Sequence, residues 1–92
     1  MAVYVGPLRD VKRSKTWHWP KACHMVADTS DELDEMDERI MLDVRHKQNP
    51  LTPREHFDLN GSYRQRAIDC GAKSVDERQI AAVIAGREQR GY

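Results

Sequence analysis

Ninety-two residues, 39% apolar and 33% charged, make one domain with a modest core and no room for a second. No run comes near the roughly 20 apolar residues that span a bilayer, and the opening MAVYVGPL lacks the basic-then-apolar pattern of a secretory signal, so the cytoplasm is the expected compartment. A formal charge of zero argues against a dedicated DNA-binding domain, whose balance is usually basic.

That zero hides segregation along the chain. Residues 1–21 carry five basic groups and one acid, 28–43 carry eight acids against Arg39 alone, and 44–92 carry nine basic groups and six acids. Such a dipolar chain either pairs internally or offers one basic and one acidic surface to partners. Two cysteines, Cys23 and Cys70, with no CxxC spacing, read as reduced, mostly buried thiols.

AVYVGPL, residues 2–8, is a short β-rich run closed by a Gly-Pro turn signal. Residues 9–21 lack a clean period and read as a basic loop. ACHMVAD, residues 22–28, reads as a strand with Cys23, Met25 and Ala27 on one face and His24, Val26 and Asp28 on the other. Thr29 and Glu32 form a capping box for an acidic helix with Leu33, Met36 and Ile40 as its apolar stripe.

The two prolines between 43 and 55 mark a loop. HFDL, 56–59, is a strand with Phe57 and Leu59 inward and His56 and Asp58 outward. A second helix follows, capped by Ser62 with Gln65, its inner face Tyr63, Ala67 and Cys70, and stopped at Gly71. AKSV is a brief strand. Asp76 then caps a last helix with Ile80, Val83 and Ile84 inward, which ends near Gly86 and leaves a frayed polar tail, 87–92.

This alternation predicts a single-domain α/β fold, residues 1–92, with a mixed or partly parallel sheet of about four short strands and about three helices.

Side-chain parity narrows the chemistry. Cys23 and His24 point to opposite faces of one strand, so they cannot act as a nucleophile-base pair without a bulge. His24 and Asp28 share one outer face, His56 and Asp58 another; if the strands are neighbours, four polar groups meet in one patch. Two imidazoles and two carboxylates suit zinc, manganese or iron(II), or serve as general acid and base. Hydrogen-bonded surface histidines are the plainer alternative. After Asp58, the turn Asn60–Gly61–Ser62 leads into a helix start of the kind that holds phosphate, with Arg64 and Arg66 following. Trp17 and Trp19 lie among Lys12, Arg13, Lys15 and Lys21 and either cover the small core or stack on single-stranded nucleic acid.

The ordered motifs VYV, CHMVADTSDEL, HFDL and RAIDCGAKSV resemble a bacterial and phage family, the domain of unknown function 4031, over residues 2–79. The matching positions are Cys23, His24, Asp28, Thr29, Glu32, Leu33, His56, Asp58, Arg66, Ala67, Gly71 and Ala72. Two positions depart from the family pattern as the resemblance implies it: Gly6 replaces an aspartate and Phe57 a tyrosine. The resemblance identifies kin and supplies no activity.

Three functions follow as expectations. One is a ligand-binding or hydrolytic domain for a phosphate-bearing ligand or a divalent metal at His24, Asp28, His56 and Asp58. The second is a non-catalytic module, such as a phage protein docking on a host factor through the acidic helix 30–42 with Asp34, Glu35 and Glu38 as contacts. The third, less favoured, is single-stranded nucleic-acid binding. Whether the chain is an enzyme stays open at this point.

Overall fold

A computed structural model describes residues 2–15, 17–43 and 46–89. Strands β1 (Val3–Val5), β2 (Arg9–Asp10), β3 (Lys21–Ala27), β4 (Phe57–Leu59) and β5 (Lys73–Ser74) alternate with helices α1 (Ser30–Arg39), α2 (Gly61–Asp69) and α3 (Glu77–Gln89). The expected α/β class holds, with five strands among the described residues. The fifth is β2, inside the segment expected to be a basic loop, where Arg9 and Asp10 pair with Ala22 and Lys21.

The long strand β3 organises the sheet. It pairs antiparallel with β1, β2 and β4, and only β1 with β5 is parallel. A βαβ order alone would make β3 and β4 parallel. Here the two pair antiparallel, Cys23 with Leu59 and Met25 with Phe57.

Parity sorts the residues as their alternation predicts. Val3, Val5, Cys23, Met25, Ala27, Phe57 and Leu59 meet Leu33, Met36 and Ile40 of α1 and Ala67 of α2 in one core. Each large side chain buried there contributes about 1.5–3 kcal/mol. The other sheet face carries Tyr4, His24, Val26, Asp28, His56 and Asp58, and α3 packs on β3. Val26 and Ile80 are buried there, with Val83 and Ile84 half-buried.

Local signals fix the helix ends. Thr29 Oγ1 accepts from the Glu32 N–H and donates to Glu32 Oε1. Asp76 Oδ1 accepts from the Gln79 N–H while Gln79 Oε1 accepts from the Asp76 N–H, a closed capping box. Gly71 ends α2 at φ 104°, a left-handed value that glycine adopts freely. Asn60, not Ser62, caps α2: its Oδ1 accepts from the Tyr63 N–H, and Gly61 and Ser62 already lie inside the helix.

The C-terminal expectation changes most. Helix α3 passes Gly86 to Gln89, and Arg87, expected in a frayed tail, is fully buried. Its Nε donates to the Ala27 carbonyl at 2.7 Å, and its Nη1 to the Glu55 and Pro53 carbonyls at 2.7 and 3.1 Å. Tail residues 90–92, position 16 of the basic loop and positions 44 and 45 of the following loop lie outside the described residues. No helix among the described residues is long and apolar enough to cross a membrane.

Candidate metal centre

Antiparallel pairing of β3 with β4 sets His24 opposite Asp58, and His56 stands two residues before Asp58 on the same face. Asp58 Oδ1 lies 3.7 Å from His24 Nε2 and 3.6 Å from His56 Nε2. The two rings meet edge to face, with centroids 5.2 Å apart. One ligand atom from each of the three residues falls within 4.8 Å of the others, close enough for one ion to draw them together. The three side chains are 20–36% exposed, so the cluster is held by the sheet and still reachable from solvent.

Neighbouring groups define the tautomers. His56 Nδ1 lies 2.7 Å from the Arg54 carbonyl, which only accepts, so Nδ1 carries a proton and Nε2 is the nitrogen turned to Asp58. Arg9 Nη2 lies 2.7 Å from His24 Nε2, and a guanidinium only donates. His24 is therefore neutral, with its proton on Nδ1, 3.6 Å from Glu77 Oε2. Burial first, and then the adjacent Arg9 charge, holds His24 below the usual imidazole range. Both Nε2 atoms thus lie within 3.7 Å of one carboxylate oxygen, that of His24 accepting from Arg9, while His56 Nδ1 donates to a carbonyl and His24 Nδ1 stands 3.6 Å from Glu77. That is the arrangement in which histidines ligate metals.

Asp28 does not join the other three. Four residues further along β3, about 13 Å by strand rise, its carboxylate accepts from the Ala2 N–H at 2.8 Å and the Tyr4 hydroxyl at 3.1 Å. The arginines assigned to an anion at the α2 start turn elsewhere. Arg64 donates to the Gly6 carbonyl and Ser74 Oγ, and Arg66 lies over the Tyr63 ring and donates to the Ile40 carbonyl. Of the acidic-helix contacts, Asp34 pairs with Lys47 and Glu35 with Arg39, while Glu38 stays exposed beside them. Cys23 is core as expected, and burial pushes its thiol up to about 11.

Arg9 and Glu77 are the site residues that sequence parity missed. Arg9 arrives on β2, and its Nε lies 3.7 Å from Glu77 Oε1. The capping box at Asp76 places Glu77 in the first turn of α3, but only the packing of α3 on β3 sets it beside His24. Gly6 makes room for this: a Cβ there would stand 3.3 Å from Glu77 Oε1. A carboxylate therefore reaches this place from α3, although the aspartate implied by the family pattern is missing from β1.

A second missed feature secures the approach to His56. Lys47 contacts both Asp34 and the fully buried Glu55, and Ser30 Oγ donates to Glu55 Oε1 at 3.0 Å. Burial works against the Lys47 ammonium, yet its hydrogen bonds to Asp34 and Glu55 prevail and raise its pKa. With Arg87 holding the carbonyls of Pro53 and Glu55, the segment before His56 is bolted to α1 and α3.

Two spaces open beside the centre and share Asp58 and Trp17. A cleft of about 160 Å³ includes Arg9, Lys12 and His24 in its walls. A cavity of about 430 Å³ is lined by Trp17, Trp19 and Tyr63 among others. The tryptophans stack edge-on at 5.0 Å, and neither belongs to the core cluster.

Among protein families, one described as a protein of unknown function (DUF4031) matches residues 3–87, nearly the whole chain. Comparison with curated proteins and with solved structures yields no match.

Proposed function

The chain belongs to the DUF4031 family of proteins of unknown function, and on that premise we propose that it binds one divalent transition metal through His24, His56 and Asp58 and uses it on a phosphate-bearing ligand, hydrolysis being the reaction class. One observation carries the reading: the Nε2 atoms of two imidazoles lie 3.6–3.7 Å from one carboxylate oxygen, and a ligand atom from each of the three residues falls within 4.8 Å of the others. Two imidazoles and a carboxylate suit zinc, manganese or iron(II).

Electrostatics favours the same order of binding. One guanidinium, Arg9, faces the two carboxylates of Asp58 and Glu77. With Lys12 in the adjoining cleft the two cations balance the two carboxylates, so an added metal ion would leave the site positive and favour an anion. Arg9 occupies the lone pair of His24 that a metal needs, so it acts as a tethered stand-in for the cation. Once displaced, its guanidinium remains in the cleft with Lys12 and faces an incoming phosphate.

Bound metal supplies a polarised water and charge neutralisation. The chain's residues do the rest: Glu77 orients His24 through Nδ1, the Arg54 carbonyl orients His56, and Arg9 with Lys12 holds phosphate oxygens. Cobalt(II) titration tests the reading. It expects visible absorption saturating at one ion per chain and lost in Asp58→Ala; a featureless titration in folded protein refutes it.

A further inference from the structure

The cavity beside the centre has a chemistry of its own. Its volume of about 430 Å³ lies within the roughly 300–1,000 Å³ of small-ligand sites. Trp17, Trp19 and Tyr63 supply aromatic surface, and His46 and Asn60 supply polar groups at its walls. Tyr63 has Arg66 stacked on it, 4.9 Å from the ring centroid. Flat aromatic walls with a few polar groups select a planar ring with hydrogen-bonding edges.

A second observation also asks for a ligand. Trp17 borders both spaces, and its Nε1–H is buried with no acceptor among the described residues. An unmatched buried donor is destabilising, and a ligand oxygen or ring nitrogen reaching it would offset the loss. Asp58 also lines both spaces, and in the cleft Arg9 and Lys12 stand beside His24. Those cations repel an ammonium ligand and select an anion.

We infer that the cavity holds the base of a nucleotide whose phosphate lies in the Arg9–Lys12 cleft at the His24–His56–Asp58 centre. The phosphate end rests on the metal reading above, and the base end does not. A free mononucleotide and the terminal nucleotide of a strand present the same chemistry, and a volume of about 430 Å³ leaves room for one base.

Trp17 and Trp19 are the chain's two tryptophans and both line the cavity, so intrinsic fluorescence reports its occupancy. Zinc-loaded and chelator-treated protein are titrated with adenosine 5′-monophosphate, uridine 5′-monophosphate, adenosine, ribose 5-phosphate, phenyl phosphate and a short oligonucleotide, with bound zinc assayed in each sample. Saturable quenching by a mononucleotide is expected, with ribose 5-phosphate and phenyl phosphate at least tenfold weaker. Trp19→Ala, at a residue 43% exposed, weakens nucleotide binding about tenfold and leaves bound zinc unchanged; Trp19→Phe replaces it if alanine disturbs the fold. Tighter binding of the oligonucleotide identifies a strand end as the source and supports the base site. Quenching by adenosine in protein that retains no zinc keeps the base site and rejects the metal reading. No saturable quenching by either mononucleotide, or equal binding of ribose 5-phosphate or phenyl phosphate, overturns the inference.

Discussion

His24 and Asp58 are direct register partners across β3 and β4, with Nε2 and Oδ1 3.7 Å apart. A histidine and a carboxylate so placed normally share a proton. Here Arg9 donates to that nitrogen instead, so the imidazole is neutral and its lone pair is occupied by a cation from β2. The proposed metal binding would exchange one cation for another, with Arg9 setting its strength.

Arg9→Met removes a competing donor and a like charge. Metal affinity is expected to rise about fivefold, the equivalent of ~1 kcal/mol for a partly exposed charge. Competition against a chelating dye measures it, and weaker binding in the variant would show that Arg9 is no competitor.

Arg87 holds three backbone carbonyls on segments leading out of β3 and into His56. Arg87→Ala leaves those buried acceptors short of donors and is expected to cost about 2–4 kcal/mol. Urea unfolding gives the number. A loss under 0.5 kcal/mol, on the order of a surface change, would mean that the arginine merely fills space.

Asp37 is buried on α1, and its Oδ1 has no partner among the described residues. Burial, then the nearby Asp34 charge, raises its pKa to about 6 from 3.8. The native state therefore binds more protons than the unfolded chain between those values, so this residue's contribution falls as pH rises from about 4 to 6. Asp37→Asn is expected to stabilise by about 1 kcal/mol at neutral pH and to lose that advantage at pH 4. Equal effects at both pH values would contradict this assignment.

Cys23 is fully buried with its thiol pushed up to about 11, whereas Cys70 is only half-buried at the end of α2. A thiol reagent at neutral pH should modify Cys70 in the folded protein and reach Cys23 only on unfolding. Peptide mapping after brief exposure distinguishes them; early labelling of Cys23 would show that β3 opens readily.

Much of the site was legible because strand parity is strict. Alternation put His24, His56 and Asp58 on outer faces, and pairing of the two strands then brought them together. The same parity also admitted Asp28, because it fixes a face and not a distance along the strand. Tyr4 and Ala2, which bind that carboxylate, come from a strand whose register no local pattern encodes. Arg9, Glu77 and Arg87 were hidden for a related reason: each is an ordinary charged residue until β2 or α3 packs against β3. Ser62 was assigned as a cap from its spacing to Gln65, yet Asn60 also has a capping side chain and lies where β4 ends.

Metal content of the purified, untagged protein, measured by mass spectrometry beside His24→Ala and His56→Ala, tests the central claim most directly. The account expects near-stoichiometric zinc, manganese or iron in the native chain and its loss from both variants, with all three proteins equally folded by circular dichroism. Metal-free native protein that also takes up no zinc, manganese or iron(II) on dialysis, or metal retained undiminished in both variants, would contradict it.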